Sequence, residues 1–487
     1  MKNKLAIVVQ VTMLLAGILL GLETEALSAT YYVNASTGND SNTGISEGSA
    51  FKTIQRAGDL MIADDNCVVF PGNYPEKVTV RKSGGAGLPI SFLASGNVIM
   101  KGFRIHGVDH IKIKGFEITG TEIDVWSREG RAVGSGIALE GRYCEITDNY
   151  IHDVAGIGID MRGIWEMDAE TTSSCIVRGN RIAYAGTCGI HVAGRNHLIE
   201  NNDISHTLQY PPKLYDPPSY VDADGIRFFG TGHIIRKNYI HDILHAPDNV
   251  KDPHIDFFQT WETAYGIVFE QNLCVSQNTT GSNQIAMISQ SAGKVGDLTF
   301  RNNIFIMNDP GYSPIRIEGN TGSTGYAEDF VIVNNVFAHP NGIGSAGIVL
   351  KDVKRALIKN NIFYDYGDSS YSYIYLENNV VDLDAGYNSV YKSDAKIPKG
   401  GPHPNDLWMV APNFVDFAGG NFRLEENSPL IDAGIKLNEV PEDYDGVSRP
   451  KGSSNDIGAF EHSSVEPQPD KPKNLRIVKP EEEVAGF

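Results

Sequence analysis

The chain of 487 residues carries a net charge of −19 and is 41% apolar, with 51 glycines. Its length and apolar content predict a folded protein with one large core or two domains. The acidic balance argues against nucleic acid as a partner because phosphates would be repelled. The five cysteines show neither a CxxC spacing, as zinc or haem motifs have, nor the density of a disulfide scaffold.

The N-terminal segment predicts export. A positive start, an apolar run over residues 5–22 and the small residues Ser28 and Ala29 make residues 1–29 a predicted secretory signal peptide. A retained membrane anchor is the alternative, since the run is nearly long enough to span a bilayer. No later segment is apolar enough to cross a membrane. We therefore expect a secreted, periplasmic or cell-surface protein without stable membrane insertion.

Eight segments between residues 143 and 365 repeat one pattern, a short β-branched strand followed by Asn and, in most copies, an apolar residue. The shared asparagines are Asn149, Asn180, Asn202, Asn238, Asn272, Asn303, Asn335 and Asn361. Short runs that alternate apolar and polar residues, at variable spacing, predict β-strands rather than helices. Coils of such strands stacked on one another form a right-handed parallel β-helix. The asparagines are expected to stack into a hydrogen-bonded ladder. Upstream, Gly102 and Gly115 stand at the Asn position of two similar segments.

A second strand recurs ahead of each Asn strand, as in segments 157–163 and 224–230. Its inward residues are apolar, for example Ile226 and Phe228, so the residue between them faces outward. The outward row reads Ala138, Asp160, His191, Arg227 and Gln259, and Arg316 resumes it. Segment 284–289, which lies between, fits the row poorly. The same alignment stacks Asp256 on Asp224.

Two of the cysteines are predicted to be neighbours. Cys144 and Cys175 each lie five residues before the Asn of their segment, which places them side by side, one turn apart. They are either stacked free thiols that fill the core or a disulfide.

Both ends of the chain resemble a known group of proteins. The stretches "YYVNASTGNDSNTGISEGSAFKTIQRAGDLM" (31–61) and "NSPLIDAG" (427–434), together with the repeats, are similar to the secreted β-helix proteins of the pectate-lyase-like superfamily. This resemblance implies an all-β fold, with a capped β-helix over residues 30–400 and a C-terminal end module over 401–462. The segment that follows is rich in proline and charge, which predicts a disordered tail over 463–487. It implies no single reaction, because the superfamily contains lyases, hydrolases, epimerases and proteins that are not enzymes.

Three insertions, at residues 121–133, 205–224 and 241–254, are predicted to wall a groove beside the outward row. Their aromatic and proline residues suit sugar faces and stiff walls. The predicted substrate-binding residues are Gln259, His191, Trp261, Tyr210, Tyr215, Tyr220 and Lys251. The predicted catalytic residues are His254, Asp256, Asp224 and Arg227. Asp222, Asp224 and Asp256 carry the oxygen ligands that Ca2+ prefers, so a calcium site is a further prediction.

These residue types favour a polysaccharide lyase that cleaves a uronate-containing glycan by β-elimination. His254 would take the C5 proton, and Arg227 or Gln259 would bind the carboxylate. One alternative is a glycoside hydrolase using Asp224 and Asp256, which strand spacing places about 5 Å apart. The other alternative is a non-catalytic, cell-surface protein that binds glycans or acts in adhesion. Under each of these functions we expect a monomer. Residues 252–254 match the Asp-Pro-His tripeptide of alginate C5-epimerases, but the Tyr-Gly-Phe expected before it is absent.

Overall fold

The computed structural model describes residues 28–121, 134–162, 171–207, 223–243, 255–276, 284–308, 312–340 and 345–463. Most of the predicted signal peptide and nearly all of the predicted tail lie outside this part of the chain. Within it, 34 strands pair side by side into one continuous sheet, and every pairing given for that sheet is parallel. The sheet coils into a solenoid with three stacks of strands, so the predicted parallel β-helix is confirmed. No helix in the described ranges is long and apolar enough to cross a membrane.

Along the chain, each coil of the solenoid passes through the stacks in the order B, C, A. Stack A contains β5 (Val98–His106), β8 (Ile137–Glu140), β11 (Ile157–Asp160), β14 (Cys188–Val192), β17 (Asp224–Phe228), β21 (Phe258–Thr260), β24 (Ala286–Ser289), β27 (Ile315–Glu318), β30 (Ile348–Lys359) and β32 (Ile374–Gly386). Strands β30 and β32 are long enough to continue from stack A into stack B.

Stack B contains β1 (Thr30–Val33), β2 (Asn66–Val69), β4 (Ile90–Ala94), β6 (Ile111–Lys114), β9 (Glu145–Thr147), β12 (Ile176–Arg178), β15 (Leu198–Glu200), β18 (Gly230–Thr231), β19 (Ile234–Arg236), β22 (Ala264–Glu270), β25 (Val295–Arg301) and β28 (Ala327–Val333). Stack C contains β3 (Gly72–Val80), β7 (Glu117–Ile118), β10 (Tyr150–Val154), β13 (Arg181–Ala185), β16 (Asp203–Ser205), β20 (Tyr239–His241), β23 (Leu273–Ser276), β26 (Ile304–Met307), β29 (Val336–Ala338), β31 (Ile362–Tyr364), β33 (Ser389–Tyr391) and β34 (Leu407–Trp408). Strands β3 and β5 begin in stack C and end in stack A.

The asparagine ladder lies at the corner between stacks B and C. Asn272 is typical: its Nδ2 donates to Asn303 Oδ1 (3.0 Å), and its Oδ1 accepts from Asn238 Nδ2 (3.0 Å). All eight predicted members take part, and Asn388 continues the ladder to its last acceptor, Asp406.

The assignment of the two upstream glycines was wrong. Phe116 stands opposite Asn149 and donates its backbone N–H to Asn149 Oδ1 (3.0 Å). Gly115, at φ 84°, therefore matches the residue before each ladder position, where the chain turns through a left-handed conformation. Gly102 lies in stack A instead, where an added Cβ would meet the carbonyl oxygen of Gly136.

The N-terminal cap is formed by a 3-10 helix (Glu47–Ser49) and helix α1 (Ile54–Leu60), which buries Ile54 and Ala57 against the first coils. The first amides of a helix lack partners within it. Here the backbone N–H groups of Ile54 and Gln55 donate to the Glu76 carboxylate (2.8 and 3.1 Å), which ties α1 to β3.

The C-terminal module covers the side of the solenoid as well as its end. An antiparallel pair, β35 (Phe414–Asp416) and β36 (Asn421–Leu424), and the chain beyond it pack on the outward face of four stack C strands, β23, β26, β29 and β31. Four side chains just ahead of the ladder donate to the module's backbone carbonyls: Gln271, Asn302, Asn334 and Asn360. A fully buried ion pair, Arg449–Glu461 (2.5 Å), holds the module together.

Cys144 and Cys175 are buried free thiols directly ahead of the adjacent strands β9 and β12, as the first of the two alternatives predicts. His197 and His233 continue their column, with ring centroids 5.0 Å apart. His197 Nδ1 accepts the backbone N–H of Cys175 (3.1 Å). This corner is thus a second polar ladder inside the fold.

Candidate functional site

The predicted register of the outward row is confirmed strand by strand, although Asp160, His191 and Gln259 are buried. Asp160 pairs with Ala138 and His191, and Arg227 pairs with His191 and Gln259. Segment 284–289 does fit the row, contrary to expectation, because Met287 pairs with Gln259 and then with Arg316. Its apolar side chain obscured the register in the sequence. We call the outward surface of stack A from β5 to β24 the site face.

The predicted wall insertions all join the chain at the corner where stack C passes into stack A, directly ahead of β8, β17 and β21. Two of them are closed at their base by a threonine hydroxyl. Thr121 Oγ1 donates to the carbonyl of Gly134, and Thr207 Oγ1 donates to that of Ala223, each at 2.6 Å. The insertions themselves, residues 122–133, 208–222 and 244–254, lie outside the described residues.

Two neighbouring coils of the site face share a construction in which an aspartate holds the side chain three residues later. Arg227 Nε donates to Asp224 Oδ2 (2.5 Å), and Gln259 Nε2 donates to Asp256 Oδ2 (3.0 Å). The aspartates are buried, at 0% and 1% exposure, rather than pointing freely outward as predicted.

The aspartates are also tied to each other through the backbone. Asp224 Oδ1 accepts the N–H of Asp256 (3.0 Å), and Asp256 Oδ1 accepts the N–H of Gln284 (2.8 Å). Both oxygens of each carboxylate are therefore engaged within the protein. Gly225 explains the placement: an added Cβ would meet Ile240 (2.9 Å), so Gly225 as well as Ile226 faces the core and the alternation breaks at this corner.

An aromatic cluster lies beside these pairs. The His191 ring lies 5.1 Å from that of Phe229, which meets Trp261 edge-on at 4.7 Å. The Arg227 guanidinium lies 5.8 Å from the centre of the Trp261 ring. Trp261 is half-buried, so part of its ring remains open to a ligand. His191 and Trp261 thus lie close to Arg227, as their predicted binding role requires.

A cationic cluster upstream was missed from the sequence. Arg162 binds Asp160 with two hydrogen bonds (2.9 and 3.0 Å), and Lys77 Nζ donates to the carbonyl of Ser135. Burial and the nearby charge of Arg104 lower the pKa of Lys77 to about 7, although Asp160 opposes that shift. Lys77 lies in β3, far from Asp160 in sequence, and only the coiling of the chain brings them together.

Six predicted site residues lie outside the described part of the chain: Tyr210, Tyr215, Tyr220, Asp222, Lys251 and His254. Within the described part, no group of three or more His, Cys, Asp or Glu residues could hold a metal ion. Asp224 and Asp256, the described members of the predicted calcium set, already use both carboxylate oxygens. They do not fit a calcium site by themselves, so calcium binding stays a prediction that depends on Asp222.

Comparison with known proteins identifies the fold. A family model described as "Right handed beta helix region" matches residues 163–324. Two solved structures align with nearly the whole chain: pectate lyase Pel9A (TM-score 0.51, 16% identity, 90% of this chain and 98% of that chain) and XylC in complex with xylose (TM-score 0.56, 14% identity, 89% and 98%). The chain is a right-handed parallel β-helix protein.

A curated relative of this β-helix protein is "Uncharacterized protein YwoF" of Bacillus subtilis (strain 168). It is 28% identical over 141 residues, which cover 26% of this chain and 30% of YwoF. The match therefore spans less than a third of the relative's length. The likeness to the two solved structures establishes the fold of this β-helix protein, while its chemistry has to be argued from the site face.

Proposed function

We propose that this β-helix protein is an exported polysaccharide lyase that binds a uronate-containing glycan along the site face and cleaves it by β-elimination. The observation that carries the proposal is a set of basic side chains on and next to the site face, in a chain of net charge −19: Arg104 and Arg227 lie on the face, and Lys77 and Arg162 lie beside it. Asp160 and Asp224 hold two of these arginines in place, and guanidinium groups fixed in this way suit the carboxylates of an acidic polymer. The names of the similar structures, a pectate lyase and a complex with xylose, support a carbohydrate ligand.

Elimination from a uronate needs a cation near the carboxylate and a base for the C5 proton. Arg104 or Arg227 can supply the cation. Lys77 is a candidate base, since a pKa of about 7 leaves much of the amine neutral at neutral pH. His254 is the base predicted from the sequence and lies outside the described residues.

The Asp-pair hydrolase is less well supported. A hydrolase of that kind needs one carboxyl group to give a proton to the leaving oxygen and another to attack or to activate water. Asp224 and Asp256 are buried, and each carboxylate accepts hydrogen bonds on both oxygens. These contacts suit residues that position Arg227 and Gln259 better than residues that react.

The proposal is tested by incubating the purified chain with polygalacturonate, alginate and xylan, with and without EDTA. A lyase releases products with the ultraviolet absorbance of an unsaturated uronate. New reducing ends without that absorbance would indicate hydrolysis, and binding without products would indicate an adhesive protein. Either result would contradict the proposal. Loss of the absorbance only with EDTA would support the predicted calcium site.

A further inference from the structure

One atom of the site face has a fixed direction and no hydrogen-bond partner among the described residues. It is Oε1 of Gln259, whose side chain is only 5% exposed. Buried polar atoms in folded proteins are nearly always satisfied by protein, water or ligand. An unsatisfied acceptor buried just beneath a candidate binding face therefore points to a donor that arrives with the ligand.

Asp256 fixes which end of the Gln259 amide is offered. An ionised carboxylate only accepts hydrogen bonds, so the amide nitrogen must face it. The distance from Gln259 Nε2 to Asp256 Oδ2 is 3.0 Å, and Asp256 is itself held by the backbone N–H of Gln284 (2.8 Å). The amide oxygen consequently points away from Asp256. A ligand carboxylate would be repelled there, in contrast to the carboxylate-binding role expected from the sequence.

The surroundings of this acceptor match a sugar ring. Trp261 directly follows β21, and its ring lies 5.8 Å from the guanidinium of Arg227, the residue that pairs with Gln259. Its half-buried indole offers an apolar surface for the C–H face of a sugar. Arg227, in the preceding coil, pairs with Gln259 and offers a hydrogen-bond donor to a ligand one strand away.

We propose that Gln259 Oε1 accepts a hydrogen bond from a free hydroxyl of the bound sugar, with Trp261 under the ring, and that this contact selects glycans whose hydroxyl is not acylated. Asp256 is then a positioning residue that acts through the orientation of the amide. The inference rests on glycan binding at the site face but not on the elimination step. A sugar hydroxyl supplies the hydrogen-bond donor that Oε1 lacks, and it is small enough to reach this buried atom.

The test uses Gln259→Met. Met287 stands at the same register position in the next coil, so this row already accommodates a methionine. Isothermal titration would measure binding of oligogalacturonides and xylo-oligosaccharides, each in native and O-acetylated form. We expect wild type to prefer a native form by about 10-fold or more, and Gln259→Met to lose about 10-fold in affinity for it and to bind both forms alike.

Asp256→Asn provides the second variant. An asparagine keeps the shape and can still accept the Gln284 N–H, but its amide lets Gln259 turn and offer a donor in place of the acceptor. We expect this variant to lose the preference for free hydroxyls while its melting temperature stays near that of wild type.

Three results would overturn the inference. An unchanged preference in both variants shows that Gln259 does not select the hydroxyl. Wild-type binding without any preference removes the inference alone and leaves the proposed glycan site standing. Failure of wild type to bind any native oligosaccharide removes both.

Discussion

Replacing Asn272 by alanine should remove one rung from the middle of the asparagine ladder. The side chain makes four hydrogen bonds: Oδ1 accepts the backbone N–H and Nδ2 of Asn238 (3.1 and 3.0 Å), and Nδ2 donates to Ile235 O and Asn303 Oδ1 (2.9 and 3.0 Å). Because Asn303 Oδ1 keeps the backbone N–H of Asn272 (3.0 Å), the groups that lose most are the Asn238 N–H and the Ile235 carbonyl.

The size of the effect follows from those two groups. A buried polar group left without its partner costs about 1–3 kcal/mol, so the free energy of unfolding should fall by roughly 2–6 kcal/mol. In a stacked fold the loss also weakens the interface between neighbouring coils, so unfolding should become less cooperative.

Urea unfolding followed by tryptophan fluorescence would measure this change. Asn73→Ala, at an exposed position of β3, is the matched control and should change stability by less than about 0.5 kcal/mol. Asn272→Asp should lower the stability at least as much as Asn272→Ala, because it would place a buried carboxylate oxygen against two other oxygens, Ile235 O and Asn303 Oδ1. Equal stability of the Asn272→Ala and Asn73→Ala variants would refute the ladder as a source of stability.

Three further predictions concern charged groups. In the proposed lyase, Lys77→Arg should lower the elimination rate by about 100-fold or more, while glycan binding persists. The rate of the variant should no longer rise with pH around pH 7. An unchanged pH profile would exclude Lys77 as the base. Burial of His241 is outweighed by hydrogen bonds to Asp203 (3.0 Å) and Asp242 (2.6 Å), which raise its pKa to about 9. The stability that His241 adds relative to His241→Gln should therefore be full below about pH 6.5 and disappear as the pH rises through 9, and a constant difference in urea titrations would contradict this. Arg449→Met should lower the free energy of unfolding by about 3–5 kcal/mol, because it leaves the buried Glu461 carboxylate without its ion-pair partner. A loss below about 1 kcal/mol would show that the ion pair does not stabilise the module.

Much of the fold could be predicted because one corner residue repeats. The Asn at each corner of stacks B and C sets the register of those stacks. For stack A, aligning "DFFQ" (256–259) with "DGIR" (224–227) places Arg227 beside Gln259, as their strand pairing confirms. The ladder's last members, Asn388 and Asp406, were missed because the repeat loses its β-branched strand near the C-terminus.

The placement of the aspartates shows where strand alternation fails. Strict strand alternation would point the Asp224 side chain toward the core together with Ile226. The predicted binding groove instead required Asp224 to point outward. The structure does neither, because Gly225 lets two successive residues face the core and leaves Asp224 buried at the corner against Arg227. Corner geometry depends on contacts between stacks, and a single strand's sequence does not contain them.

The packing of the C-terminal module against the solenoid is reflected in the sequence. In four coils the residue before the ladder Asn is itself an amide, as in Asn302 and Asn334, and these amides bind the module's carbonyls. Of the uncovered coils, one also carries an amide there, Asn201, whereas the others carry Asp148, Gly179 and Lys237. By contrast, the link between Lys77 and Asp160 depends on a long side chain crossing coils, which no local pattern reveals.

The most direct test of the central claim is a crystal structure of this β-helix protein with an oligogalacturonide or xylo-oligosaccharide that it binds. The account predicts sugar density on the site face, with a ring over Trp261 and a hydroxyl within hydrogen-bonding distance of Gln259 Oε1. Sugar density on the outward face of stack C, for example over Tyr150 and Arg181, with none near Arg227 would contradict it.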